Sequence, residues 1–143
     1  MSALISKVGS DLNLLKSGFE FAWIIDYPMF EYEKGTKNLT SLHHPFTSPD
    51  SNDQDFNDQT LSRAYDLTLN GNEIGGGSVR IHEKLEQLKV FQALKLTDSE
   101  IESKFGFFLK SLEYGCPPHA GIAFGLDRFR LLYTTDAADE GLG

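Results

Sequence analysis

Two acidic side chains are the first candidates for chemistry, because they flank a strong β-hairpin signal. Asp66 and Glu73 lie on either side of Asn70-Gly71, and Asn-Gly between alternating segments is typical of a two-residue hairpin turn. The register of such a turn makes the two residues diagonal neighbours on one face, about 7–8 Å apart at Cα. Carboxylates this close repel each other unless a cation lies between them, and Mg²⁺ bound by carboxylates and phosphate oxygens fits that position. A solvent-exposed polar face is the alternative interpretation.

Three consecutive glycines follow the hairpin turn, at residues 75–77. They lack the Gly-Lys-Ser/Thr ending of a Walker loop and the spacing of a dinucleotide fingerprint. The apolar positions change parity across them, from Ile74 to Val79 and Ile81. This change predicts one extra residue in the strand, a β-bulge. Beyond the glycines, the planar guanidinium of Arg80 suits a carboxylate or a phosphate, and a surface salt bridge is the alternative.

The remaining polar candidates give weaker signals. His43 and His44 precede a proline, which favours an extended conformation at His44. No spacing of His and Cys in the sequence matches a zinc site, and Cys116, beside two prolines, is expected to pack rather than to act as a nucleophile. Arg128 lies just inside a predicted helix start, where the helix dipole favours anions. A cation there indicates that it faces a bound anion such as a phosphate.

The periodicity of apolar residues predicts the elements that must position these side chains. We expect a helix over 1–15, a strand over 19–25, a turn at 34–35, a solvated loop over 50–59, the hairpin, a helix over 83–94, a capped helix from Thr97 to Gly115, and a strand over 121–124 that leads into a helix start at Asp127. The predicted fold class is α+β, an antiparallel sheet flanked by helices.

The composition is that of one ordinary globular domain. The chain has 143 residues, of which 40% are hydrophobic and 24% are charged, and a formal net charge of −8. The acidic balance argues against non-specific nucleic-acid binding. No apolar run is long enough to span a membrane, and the N-terminal residues do not resemble a secretory signal. A single cysteine fits a reducing compartment, the cytoplasm or, as the alternative, an organellar matrix.

Several stretches of this sequence carry the motifs of a known enzyme family. The segment Gly121-Ile-Ala-Phe-Gly-Leu-Asp-Arg128 resembles motif 3 of the class II aminoacyl-tRNA synthetases. The stretches that resemble the aspartyl subgroup are Trp23–Glu31, Leu42–Pro49, Tyr65–His82, Lys104–Phe107 and Tyr114–Gly121. The form Gly-Gly-Gly-Ser-Val-Arg-Ile-His resembles the bacterial and organellar type.

The resemblance implies both a reaction and roles for particular residues. In that reaction L-aspartate attacks the α-phosphate of ATP to give aspartyl-adenylate, and the aspartyl group passes to the 3′ end of aspartate tRNA. The resemblance implies aspartate binding by His43 and Arg80, Mg²⁺ binding by Asp66 and Glu73, and ATP binding by Glu73, Gly125, Leu126, Asp127 and Arg128. Among these, Arg128 is the catalytic candidate, directed at the γ-phosphate. Such a site works by positioning and charge stabilisation.

The resemblance also implies a division of the chain. Residues 1–16 resemble the last helix of an inserted domain, and residues 17–130 resemble the C-terminal part of a catalytic domain. Motif 1, which builds the homodimer interface, and motif 2 are not among residues 1–143, so we expect an incomplete sheet and no activity from this segment alone. Residues 131–143 depart from the family pattern and resemble the translation of a sequencing adapter. We expect them to be an assembly artefact, and a natural divergent tail is the alternative.

A second interpretation belongs to another class of protein, a non-catalytic synthetase paralogue that acts as a binding or regulatory module. The enzyme is favoured because four candidate site residues occur together: Asp66, Glu73, Arg80 and Arg128. A binding module does not need metal carboxylates and an ATP-binding arginine at once.

Overall fold

The computed structural model describes residues 2–14, 17–50 and 55–129. The chain divides into two compact units, each formed by separate stretches of sequence. The first unit comprises Met1–Ile24, Tyr65–Gly77 and Ile122–Gly143, and the second comprises Ile25–Ala64 and Ser78–Gly121. The artefact predicted for residues 131–143 lies outside the described residues.

Helices and strands both contribute, which confirms the predicted α+β class. In chain order the elements are α1 Ser2–Asp11, β1 Phe21–Ile24, β2 Tyr27–Pro28, β3 Phe30–Tyr32, β4 Leu39–Ser41, β5 Leu61–Ser62, β6 Ala64–Leu69, β7 Asn72–Val79, α2 Lys84–Ala93, α3 Asp98–Glu113 and β8 Ala120–Phe124. Residues 126–129 form a helical turn after β8, at the predicted helix start. The helix predicted over 1–15 is shorter than expected, and α1 ends at Asp11.

Four strands form a sheet in the order β1-β6-β7-β8. Strands β1 and β6 are antiparallel, with Phe21 opposite Leu69 and Ile24 opposite Asp66. Strands β6 and β7 are joined by the predicted turn. Its central residues, Asn70 and Gly71, have φ values of 49° and 80°. Positive φ at both positions is the signature of a type I′ turn, whose twist matches that of the flanking strands.

The ladder between β6 and β7 shifts by one residue beyond this turn. A two-residue turn places Leu69 opposite Asn72, and regular pairing from there would put Arg63 opposite Ser78. Instead the Val79 N–H donates to the Arg63 carbonyl oxygen at 3.0 Å. One extra residue therefore lies in β7, as the change in parity across the glycines predicts.

Apolar side chains are exposed on the two outer strands of the four-stranded sheet. Every residue of β1 and β8 is exposed, including Trp23, which is 58% exposed, and Phe124, which is 48% exposed. In contrast, Ile74 in β7 is fully buried. An apolar surface of this kind is typical of a face that another protein segment covers.

The second unit contains two clusters of buried hydrophobic residues. One is formed by Met29, Phe30, Ile81 and Val90, and the other by Phe91, Ile101, Leu109 and Leu112. Cys116 packs against the second cluster, as expected for a structural cysteine. Two short ladders, β2 with β5 and β3 with β4, complete this unit. The predicted turn at residues 34–35 connects β3 to β4, and Gly35 has a φ of 82°.

Helix α3 begins with the predicted capping box. The Thr97 hydroxyl accepts a hydrogen bond from the Glu100 N–H, and the Glu100 carboxylate accepts one from the Thr97 N–H at 2.9 Å. These bonds satisfy two backbone donors at the start of the helix. The helix ends before Gly115, whose φ of 93° is the left-handed conformation that glycine adopts easily.

Within the described ranges, no helix combines the length and the apolar character that a membrane crossing requires.

Candidate functional site

Arg128 and Glu73 are joined by two contacts in the first unit. The Arg128 Nη1 lies 3.2 Å from the Glu73 Oε1, and it also donates a hydrogen bond to the Glu73 backbone carbonyl oxygen at 2.8 Å. Glu73 stands near the start of β7, and Arg128 lies in the helical turn after β8. The guanidinium is therefore held by a strand backbone as well as by a side chain, and both side chains remain about half exposed.

Gly125 places the helical turn that carries Arg128. Its N–H donates to the Ile74 carbonyl oxygen at 2.9 Å, and its own carbonyl oxygen accepts the Arg128 N–H at 3.0 Å. A Cβ added to Gly125 would lie 3.4 Å from the Arg128 Cδ, so the arginine stem runs directly over this glycine. Leu126 and Asp127 are both exposed, and a ligand can therefore reach the turn.

The carboxylate of Asp66 lies over the backbone of Gly76. A Cβ added to Gly76 would overlap the Asp66 Oδ1. If β7 paired regularly from the turn onward, Gly75 would lie opposite Asp66. Gly76 lies there instead, so the extra residue of β7 lies between the turn and Gly76. With that shift Glu73, on the turn side of the extra residue, keeps the face that Asp66 and Gly76 share. The two acidic side chains therefore lie on one face of the hairpin, as predicted.

These residues fit a magnesium ion bound together with a nucleotide. Carboxylate oxygens are hard ligands, and Mg²⁺ in nucleotide sites is usually held by one or two carboxylates together with phosphate oxygens. Because residue 76 has no side chain, the Asp66 carboxylate can lie close to the position that a Cβ would occupy. The described ranges contain no group of three or more His, Cys, Asp or Glu side chains able to hold a metal without such a ligand.

In the second unit, the side chain of Arg80 contacts the ring of His44. Its Nη1 lies 3.2 Å from the His44 Nδ1, and the Phe46 N–H donates to the same Nδ1 at 3.2 Å. An Nδ1 that accepts two hydrogen bonds carries no proton, so the neutral His44 ring has its hydrogen on Nε2. Burial, and after it the positive charge of Arg80, lowers the pKa of His44, which favours this neutral form.

The backbone of Arg80 is fixed independently of its side chain. Its N–H donates to the His119 carbonyl oxygen at 2.9 Å, and it forms an isolated antiparallel bridge with Thr47. A cavity of about 290 Å³ adjoins Arg80 and is lined by Phe46, Arg80, Ile81, Phe108, His119, Ala120 and Gly121. Apolar residues form most of this lining, with Arg80 and His119 as its polar members, and a pocket of this composition suits a small ligand that carries a polar group.

His43 is placed differently from its neighbour. Its ring stacks edge-on against Tyr27, with the ring centroids 5.1 Å apart, and the residue is exposed. The histidine that contacts Arg80 is thus His44, which the sequence interpretation did not assign to the site. Pro45 predicts an extended backbone at His44, but this preference does not indicate which side chain the ring contacts.

The predicted site residues fall into two sets. The residues predicted to bind ATP and Mg²⁺, which are Asp66, Glu73, Gly125, Leu126, Asp127 and Arg128, all belong to the first unit. The residues predicted to bind aspartate, His43 and Arg80, belong to the second unit. Within the first set, the structure brings Glu73 and Arg128 into direct contact.

A comparison with known protein families finds a match along nearly the whole chain. Residues 5–138 match the family described as tRNA synthetases class II (D, K and N). Two curated relatives, both called aspartate–tRNA(Asp/Asn) ligase, come from Legionella pneumophila. The protein of strain Corby is 47% identical over 138 residues, and that of strain Philadelphia 1 is 46% identical over the same length. In both cases the match covers 94% of this chain and 23% of the relative.

A solved structure shares the fold. The aspartyl-tRNA synthetase of Entamoeba histolytica superposes with a TM-score of 0.64 at 22% sequence identity, over 93% of this chain and 23% of that protein. The chain spans about a quarter of the length of the proteins that it matches. The match to the family over residues 5–138 confirms the resemblance found in the sequence, and the chain belongs to the class II tRNA synthetases of the aspartate, lysine and asparagine group.

Proposed function

We propose that this chain is part of an aspartate–tRNA ligase. In the proposed reaction an oxygen of the aspartate α-carboxylate attacks the α-phosphorus of ATP and pyrophosphate leaves, which gives aspartyl-adenylate. The ribose hydroxyl at the 3′ end of tRNA then attacks the activated carbonyl, and AMP leaves. The observation that carries the proposal is the 47% identity to an aspartate–tRNA(Asp/Asn) ligase over 94% of the chain.

The first unit supplies the ATP residues in this proposal. Arg128 binds the γ-phosphate, and Asp66 and Glu73 hold Mg²⁺, which neutralises charge on the phosphates when it is bound. The contact of Arg128 with Glu73 supports these roles, since a cation already lies beside one of the two acidic side chains. Displacing Arg128 toward a phosphate would free the Glu73 carboxylate for the metal.

The second unit supplies the aspartate residues. Arg80 pairs with the side-chain carboxylate of aspartate through its planar fork. His44 supports Arg80 by accepting a hydrogen bond at Nδ1, 3.2 Å away, and His43 lies next along the chain, near the substrate. The cavity of about 290 Å³ beside Arg80 supports a small substrate in this unit.

The partners of the complete protein are part of the same proposal. They are aspartate tRNA, L-aspartate and ATP, with homodimer formation through segments outside this chain. The names of the two Legionella relatives include both tRNA(Asp) and tRNA(Asn), and charging of both tRNAs is the variant of the activity that these names favour. The cytoplasm is the proposed compartment, with an organellar matrix as the alternative.

Charging of tRNA by the full-length protein tests the proposal. Radiolabelled aspartate should appear on tRNA(Asp) in the presence of ATP and Mg²⁺, and a parallel reaction with tRNA(Asn) tests the broader specificity. A protein that binds tRNA but transfers no aspartate to either tRNA would support the non-catalytic paralogue instead. The isolated segment of residues 1–143 should show no transfer.

A further inference from the structure

We propose that Gly76 is a positioning residue for Asp66. The absence of a side chain at residue 76 defines where the Asp66 carboxylate lies, and thereby how tightly the ATP site holds its divalent cation. This inference rests on the proposed function, because it takes Asp66 as one of the carboxylates that bind Mg²⁺.

The geometry at Gly76 identifies which group would yield to a side chain. The first atom that a Cβ would meet is the Asp66 Oδ1, with which it would overlap, and the carboxyl carbon Cγ follows at 3.4 Å. The nearest backbone atom is the Tyr65 carbonyl oxygen at 3.6 Å, an ordinary van der Waals contact. A methyl group at residue 76 therefore displaces the end of a side chain and leaves the strand backbone in place.

The carboxylate of Asp66 can rotate away from a methyl group at residue 76. Two side-chain torsions separate it from the backbone, and Asp66 is only partly buried. Substitution of Gly76 by alanine should therefore preserve the fold while it moves one metal ligand by about 1 Å or more. A shift of that size is large for Mg²⁺, which demands near-ideal octahedral geometry.

Gly75 provides a matched control in the same strand. A Cβ added there would lie 2.7 Å from the Phe124 Cδ1 and 2.9 Å from the Ala123 carbonyl oxygen. The three nearest atoms belong to β8, not to Asp66. Gly75→Ala should therefore strain the sheet and lower the melting temperature without moving the Asp66 carboxylate.

The experiment measures how much Mg²⁺ tightens nucleotide binding. Calorimetric titration of the full-length protein with a non-hydrolysable ATP analogue gives one Kd in Mg²⁺ and one in EDTA. The wild-type protein should bind the analogue more tightly in Mg²⁺. Gly76→Ala should reduce this tightening by about tenfold, the effect typical of a residue that orients a metal ligand, and leave the Kd in EDTA unchanged.

A second substitution separates positioning from general damage. In an Asp66→Ala background the carboxylate is absent, so Gly76→Ala should cause no additional loss of the Mg²⁺ effect. The inference is overturned if Gly76→Ala keeps the full Mg²⁺ effect, if it fails to fold, or if Gly75→Ala reduces the effect equally. A wild-type protein that binds the analogue with no benefit from Mg²⁺ would instead overturn the proposed metal site, and the role of Gly76 with it.

Discussion

Arg128 and Glu73 form an ion pair in which a single guanidinium nitrogen, Nη1, contacts both the side chain and the backbone of the glutamate. The distances are 3.2 Å to Oε1 and 2.8 Å to the carbonyl oxygen. A pair this exposed contributes little to stability, about 0–1 kcal/mol. The pair matters for the geometry of the site, because it holds Arg128, the predicted phosphate-binding residue, beside Glu73, a predicted metal ligand.

The first prediction concerns Arg128. Arg128→Ala should lower kcat/KM for ATP by about 100-fold or more, the usual cost of removing one positioned donor from a transition state. Arg128→Lys should recover only part of the loss, because an ammonium lacks the planar fork. Steady-state kinetics of the full-length protein give these values. Equal activity of the alanine variant and the wild type would remove Arg128 from the ATP site.

The second prediction concerns the contact between Arg80 and His44. Arg80→Gln should raise KM for aspartate by about 100-fold, because the substrate carboxylate loses its charged partner. His44→Ala should raise KM by about tenfold, the effect of one hydrogen bond to a charged group, with a smaller change in kcat. Substitution of exposed His43 by alanine is the comparison for His44. A larger effect at His43 would show that the histidine beside Arg80 is not the more important of the two.

The third prediction is a pH dependence that originates at His44. Its lowered pKa keeps the ring neutral near neutral pH, so the hydrogen bond from Arg80 is present there. The stabilisation from neutral His44 is complete above the ordinary histidine pKa and is lost as the pH falls through the lowered value. KM for aspartate should therefore rise as the pH falls below the ordinary histidine pKa and through the lowered value. His44→Gln, whose amide oxygen accepts a hydrogen bond but does not titrate, should flatten the profile, and an unchanged profile would contradict this origin.

The fourth prediction concerns the start of α3. Thr97→Ala removes the side chain that caps the helix and should destabilise it by about 1 kcal/mol. The Thr97 N–H also lowers the pKa of Glu100, so this part of the cap is complete above the ordinary glutamate pKa and is lost as the pH falls through the lowered value. Hydrogen exchange in the first turn of α3 measures both effects. Exposed Ser99, in the same turn, is the control position, and Ser99→Ala should change protection much less.

Local signals predicted much of the fold. The Asn70-Gly71 turn and the Thr97 cap each depend on a few adjacent residues, and both occur as expected. The change in parity near Ile74 predicted the extra residue of β7, because one inserted residue reverses which side chains face the core.

Contacts between distant residues could not be predicted in the same way. The pairing of β2 with β5 joins Tyr27 to Ser62, and no local pattern in either two-residue strand indicates it. The contact of Arg80 with His44 spans 36 residues, and the choice between His43 and His44 depends on which ring the chain turns toward the arginine. The contact of Arg128 with Glu73 spans 55 residues and follows from the pairing of β7 with β8.

Activation of aspartate by the complete protein can be measured by ATP–pyrophosphate exchange. The full-length protein should exchange labelled pyrophosphate into ATP with aspartate and should show little exchange with asparagine or lysine. The Arg80→Gln variant should need about 100-fold more aspartate to reach the same rate of exchange. Absence of exchange with aspartate, or faster exchange with asparagine or lysine, would contradict the account.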